Sequence, residues 1–191
     1  RHGVEVRPVD VMDSDWDCTL EETADGQAAV RLGLRMVSGL SSVEGGRLMA
    51  ARVQGAFVDA EDLARRASLD RQTMEQLAAA DALMGLSGHR RQQVWDAVAL
   101  KAPPVLLREA PVEEDVLDLS EAPEGEAIVW DYASLGLTLR RHPLALLRER
   151  LQARRFMTSA QLLEVVHRLA AQQLLHRVGV DVVHRRCLLY T

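Results

Sequence analysis

Between Asp59 and Leu100 the chain reads as three short helices joined by tight turns, and this stretch limits the fold more than any other. Asp59 and Asp62 mark the start of the first helix, whose apolar positions are Leu63, Ala64 and Ala67. Asp70 starts the second, with Met74, Leu77 and Ala78. The third begins near His89 and is expected to bury Val94, Trp95 and Val98. Each falls below the roughly 12–15 residues at which a helix persists alone in water. They must therefore pack on one another. The turn into the third, Leu83-Met84-Gly85-Leu86-Ser87-Gly88, is an apolar, glycine-bearing hairpin.

The third helix opens with His89, Arg90 and Arg91. Cations at a helix N-terminus oppose the macrodipole by about 0.3–1 kcal/mol each when exposed. The first backbone N–H groups there also lack partners within the helix. An anion resolves both, and a DNA phosphate fits. Gly85, Leu86, Ser87, Gly88, His89, Arg90 and Arg91 are thus candidate phosphate contacts of a helix-hairpin-helix, which grips a nucleic-acid backbone without reading sequence. The alternative is ordinary: surface arginines, with Gly85 and Gly88 as cap and turn residues. The usual hairpin runs glycine, apolar residue, glycine. Here Ser87 follows Gly85-Leu86, so the pattern is met only if Gly88 takes the second role.

At 191 residues the chain suits one large domain or two small ones. With 48% hydrophobic but only 4% aromatic residues, the core must be mostly Leu, Val and Ala. A net charge of −5 argues against a uniformly basic nucleic-acid binder and leaves room for a local patch. Of 23 basic residues only Lys101 is a lysine, and arginine forks suit phosphate. Cys18 and Cys187 have neither metal spacing nor a disulfide framework, which fits a reducing cytoplasm. The six histidines are scattered, and no zinc site is expected. No run approaches the roughly 20 apolar residues of a membrane helix, and there is no signal peptide. The start, Arg1-His2-Gly3-Val4, lacks an initiator Met and reads as a fragment of a longer protein.

Elsewhere Val4, Val6 and Val9 predict a short strand. Asp13, Asp15 and Asp17 alternate, as a Mg²⁺ pair would need, or form an acidic loop with Trp16 and Leu20 packing inward. Asp25-Gly26 signals a hairpin, and Val30, Leu32, Leu34 and Met36 a half-buried strand beyond it. Ser41 to Glu44 is a capping box that opens a helix to about Val53. Pro103, Pro104 and Pro111 break helices, and eight acidic residues from Glu109 to Glu126 read as a solvated tether. A helix runs from Pro123 to Gly136. Arg140-Arg141-His142-Pro143 then leads to a leucine-rich helix made basic by Arg148, Arg150, Arg154 and Arg155. Thr158 to Gln161 caps another. The fold class is mainly α with a small N-terminal antiparallel β element and a tandem helix-hairpin-helix.

Three groups of residues then carry a resemblance. Arg7-Pro8-Val9-Asp10, Trp16 to Glu21 and Arg31 to Leu40 resemble the late fingers of bacterial C-family DNA polymerases, most of all the error-prone alpha-type branch induced by DNA damage. Phe57 to Leu100 is similar to that family's tandem helix-hairpin-helix, and Asp131 to Leu144 to the segment after it. The resemblance divides the chain into the end of the fingers (1–55), the DNA-binding hairpins (56–102), an acidic linker (103–122), helices leading towards an OB-fold (123–177) and an unassigned tail (178–191). It implies DNA-directed nucleotidyl transfer with Mg²⁺ by the parent, in translesion synthesis. The palm carboxylates would lie upstream, and Asp13, Asp15 and Asp17 do not match them, so the fragment is expected to be non-catalytic and to hold duplex DNA, with Arg140 and Arg141 as further contacts. Gln161-Leu162-Leu163 and Gln173-Leu174-Leu175 are poor copies of the replicative members' clamp peptide, which favours the error-prone branch. Two alternatives stand: a docking module for mutasome or clamp-associated partners, or the same region of a replicative DNA polymerase III alpha subunit.

Overall fold

The computed structural model describes residues 3–100 and 119–170. The chain divides into two compact units, Arg1–Pro143 and Leu144–Thr191. Most of the expected acidic linker and all of the 178–191 tail lie outside the described residues.

Three strands open the first unit: β1 (Glu5–Arg7), β2 (Thr19–Glu22) and β3 (Ala28–Arg31), in the order β1-β3-β2. The turn at Asp25-Gly26 joins β2 and β3 as an antiparallel hairpin, with Leu20 opposite Val30. β1 adds to the other edge of β3 in parallel, with Val6 opposite Val30, so the sheet is mixed. Glu21 ties the three strands together. It accepts from Arg7 at 2.5 Å and from Arg31 at 2.8 Å, and Arg31 first, then Arg7, hold its carboxyl below the ordinary range.

β3 stops at Arg31, five residues short of the end of the alternating pattern at Met36. After Arg31 the chain leaves the sheet: Leu34 N–H bonds to Asp15 C=O and Arg35 N–H to Trp16 C=O, while Met36 N–H to Gly33 C=O and Val37 N–H to Leu34 C=O close a 3-10 turn over Leu34–Met36. Gly33 permits this, because a Cβ there would stand 2.4 Å from the Asp17 carbonyl carbon. Leu34 and Val37 both enter the core. Leu20, expected inside, is 75% exposed, whereas Trp16 packs on Gly45.

The helices follow their caps. α1 (Ser42–Val53) carries the complete Ser41/Glu44 capping box, α2 (Ala60–Arg66) starts on Asp59, and α3 (Arg71–Ala79) starts on Asp70. The Thr73 hydroxyl lies 2.8 Å from both the Asp70 and Glu44 carboxylates and so links α3 to α1. A one-turn α4 (Met84–Ser87) precedes α5 (Arg90–Ala99), and α6 (Glu124–Leu135) closes on left-handed Gly136. α3 packs on α5, α4 and α6 flank that pair, and α1 packs on α2.

Leu34, Leu48, Leu63, Met74, Leu77 and Leu83 are fully buried in a single core with Val9 and Val11. Each such side chain contributes about 1.5–3 kcal/mol by leaving water. Val11 N–H bonds to Ala82 C=O, fixing the N-terminal segment against the turn after α3. In the second unit α7 (Pro143–Ala153) is followed by helical residues 159–170, opened by a reciprocal Thr158/Gln161 cap. No helix among the described residues is long and apolar enough to cross a membrane.

Candidate nucleic-acid interface

The hairpin between α3 and α5 is held from inside by a side chain that the sequence reading did not single out. Gln93, fully buried, accepts from Leu83 N–H at 3.1 Å and donates to Gly88 C=O at 2.6 Å and to Asp81 at 2.8 Å. It thus spans both arms of the turn. Gly88 sits at φ 71°, a left-handed conformation, and a Cβ there would meet nothing within 4 Å. Gly85 is helical within α4, and a Cβ would only touch Met12 at 3.7 Å. Gly88 is therefore the glycine the turn requires. Gly85, exposed, is left unexplained by the fold.

His89 caps α5. Its Nδ1 accepts from Gln92 N–H at 3.3 Å, which assigns the proton to Nε2, and Nε2–H donates to Leu119 C=O. Leu86 packs against the core, and Ser87 is half-buried at the end of α4.

Arg90 does not stand where a phosphate would reach it. It is 7% exposed, donates from Nη1 to Ala127 C=O at 2.8 Å and pairs through Nη2 with Asp131, with Asp81 at 3.6 Å. Arg140 completes the cluster, 3.1 Å from Asp81 and 3.5 Å from Asp131, and Thr138 donates to Asp131 at 2.6 Å. Two carboxylates thus neutralise two guanidiniums. The cluster joins the turn after α3 to α5 and α6. Removing one partner of such a buried pair typically costs about 3–5 kcal/mol. The expectation of Arg90 as a phosphate contact is corrected accordingly: its position turns inward because Arg90, Gln93 and Ala97 form the buried face of α5.

That rotation also moves the expected core face outward. Trp95 is 52% exposed and Val98 39%, with Val94 half-buried. With Leu119, Ala122 and Trp130 they line a cavity of about 220 Å³, and Arg91 and Glu126 stand at it too.

Arg91 and Arg141 remain at the surface. Arg91 pairs with Glu126 at 2.7 Å and also donates to Ser120 C=O at 3.3 Å. Arg141 forms a two-pronged pair with Glu124 and holds that carboxyl below the usual range. In the second unit, among the described residues, Arg148, Arg150, Arg154 and Arg155 are exposed and have no carboxylate within ion-pair distance.

The three alternating aspartates separate rather than converge. Asp13 faces Arg31, Asp15 faces Arg52 and Asp17 faces Arg35. Among the described residues no three His, Cys, Asp or Glu side chains come together as a metal group. The carboxylates serve as counter-ions of three different arginines and do not fit a two-metal centre.

Comparison with known proteins gives the same frame. A family described as a helix-hairpin-helix motif matches residues 3–93. The chain is 50% identical over 167 residues to the error-prone DNA polymerase of Alkalilimnicola ehrlichii, covering 87% of this chain and 16% of that protein. It is 48% identical over 183 residues to that of Methylococcus capsulatus (86% and 18%) and 46% identical over 187 residues to that of Dechloromonas aromatica (97% and 17%). The chain therefore spans between 16% and 18% of the length of these relatives. The matches run through the strands, the capped helices and the hairpin. Over 86–97% of its length this chain is therefore similar to one segment of error-prone DNA polymerases, and it carries a helix-hairpin-helix motif.

Proposed function

We propose that the hairpin side of the first unit holds the sugar–phosphate backbone of duplex DNA for an error-prone polymerase that copies damaged templates. The observation that carries this reading is the hairpin itself. Gln93 and Gly88 fix the backbone from Gly85 to His89, Arg91 follows it in the first turn of α5, and Arg141 stands at the first turn of α6. Backbone N–H groups and exposed guanidiniums contact phosphate and sugar, so binding is independent of sequence and sensitive to salt. Nucleotidyl transfer with Mg²⁺, in the DNA-damage response of the bacterial cytoplasm, belongs to the whole polymerase. We expect the metal ligands in another part of the polymerase, a reading supported by the pairing of Asp13, Asp15 and Asp17 each with an arginine.

The exposed Trp95 and Trp130 of the α5–α6 cavity favour a second reading, in which the segment docks a mutasome or clamp-associated protein. Salt separates the two. Phosphate binding weakens steeply with ionic strength, whereas apolar docking persists.

The test is fluorescence anisotropy of labelled 20-bp duplexes of several sequences, titrated at a series of salt concentrations. Arg91→Ala and Arg141→Ala are expected to weaken binding on every sequence alike, each lowering the log–log salt slope by about 0.9. Arg90 is left unchanged, because a substitution there disturbs the buried cluster rather than a contact. Equal binding by wild type and both variants would remove the hairpin face as the site.

A further inference from the structure

We infer that Glu124 and Glu126 are competing ligands for the arginines that contact phosphate, and that they set how strongly the segment holds DNA. This rests on the reading above. Its ground is a pattern that appears only when the ion pairs are taken together. Arg90, Arg91, Arg140 and Arg141 are all matched by carboxylates, and the matches fall into two kinds. Arg90 and Arg140 are matched by Asp131 and Asp81, whose side chains are 7% and 11% exposed, and their pairing is part of the packed structure. Arg91 and Arg141 are matched by Glu126 and Glu124, whose side chains are 42% and 31% exposed. Exposed ion pairs of this second kind are readily exchanged for another anion.

Geometry makes the exchange local. Glu124 and Glu126 both lie in the first turn of α6, where backbone N–H groups and the helix dipole hold negative charge. They meet the guanidinium forks as phosphate oxygens would, since carboxylate and phosphate present the same acceptor pair to arginine. A DNA backbone arriving at the hairpin must displace them. The freed carboxylates keep the α6 N-terminus as a partner, so the displaced state is not left without compensation. Arg141 keeps Glu124 ionised to lower pH than an ordinary glutamate, so the competition operates throughout the neutral range.

The consequence has an unusual sign: removing these acids strengthens DNA binding. The experiment compares the wild-type chain with Glu124→Gln/Glu126→Gln, and with Glu61→Gln/Glu75→Gln as a control that removes the same charge from α2 and α3, where Glu61 is exposed and Glu75 is half-buried and paired with Arg71. All three are titrated against a labelled 20-bp duplex at several salt concentrations, with circular dichroism melts to confirm folding. The two single variants at Glu124 and Glu126 accompany them.

Glu124→Gln/Glu126→Gln is expected to bind about tenfold more tightly, with a salt slope close to that of the wild type, because Arg91 and Arg141 contact phosphate in both and only the competing carboxylates are lost. Each single variant gives part of that gain, and the control gives less than about a twofold change with the slope unaltered. Wild-type binding matched by the Glu124→Gln/Glu126→Gln variant in affinity overturns the inference while leaving the hairpin reading in place. So does a gain that the control reproduces, because it would be an effect of net charge. Absence of duplex binding by every protein overturns the hairpin reading and this inference with it.

Discussion

Single residues decide what the hairpin can do. The sequence carries two glycines there, and their spacing invites both to be read as turn residues. In the structure Gly88 alone has positive φ, and Gly85 is an ordinary helical position. Gly88→Ala is expected to destabilise the chain by about 1–3 kcal/mol through backbone strain, since there is room for the methyl group. Gly85→Ala is expected to stabilise it by about 0.5–1 kcal/mol, as alanine does in a helix. Urea unfolding of the two variants checks both, and equal losses would show that Gly85 also has a required conformation. The residues of the hairpin were legible because glycine, histidine and arginine are conspicuous. Gln93 was not, because a glutamine on a helix reads as solvated until its partners are known. Arg90 was misplaced for the same reason: Asp81 and Asp131, which turn it inward, lie in other elements.

At the scale of elements, caps were the dependable signal. Ser41, Asp59, Asp70, Thr158 and the Gly136 stop act within one helical turn of themselves, and each marks the boundary observed. Periodicity was less dependable, since it does not say where a ladder ends. The strand read through Met36 stops at Arg31 because the loop at Asp15–Trp16 takes over its hydrogen bonds. The face of α5 was misjudged because the apolar residues Trp95 and Val98 lie opposite the Arg90–Gln93–Ala97 side that tertiary structure buries. The caps also have a pH signature. Hydrogen bonds to Ser41 N–H lower the Glu44 carboxyl, and Thr73 N–H lowers that of Asp70. A carboxyl lower in the folded than in the unfolded state contributes stability above its unfolded pKa, and this is lost as pH falls through the folded value. Asp10 acts in the opposite sense, because burial raises it. With Glu21, Asp62 and Glu124 also lowered, the balance predicts a melting temperature that falls from about pH 5 towards pH 3. A Glu44→Gln variant should be less stable near neutrality and show a shallower decline. A melting temperature that rises on acidification would contradict this assignment.

For the molecule as a whole, the sequence reached the fold class and the family, because both rest on motifs in a fixed order. It did not reach the distribution of charge. A chain of net charge −5 reads as a poor DNA binder with one basic spot. The structure shows instead that, among the described residues, most arginines are paired with carboxylates and that those pairs differ in exposure. The account places the DNA backbone at the first unit's hairpin, against the exposed arginines of α7 as the competing location. Amide hydrogen exchange of the chain with and without a 20-bp duplex distinguishes them directly. The account predicts slower exchange at Gly88 to Gln92, with residues 119–126 exchanging faster as Glu124 and Glu126 are displaced. Protection confined to residues 148–155, with the hairpin unchanged, would contradict it.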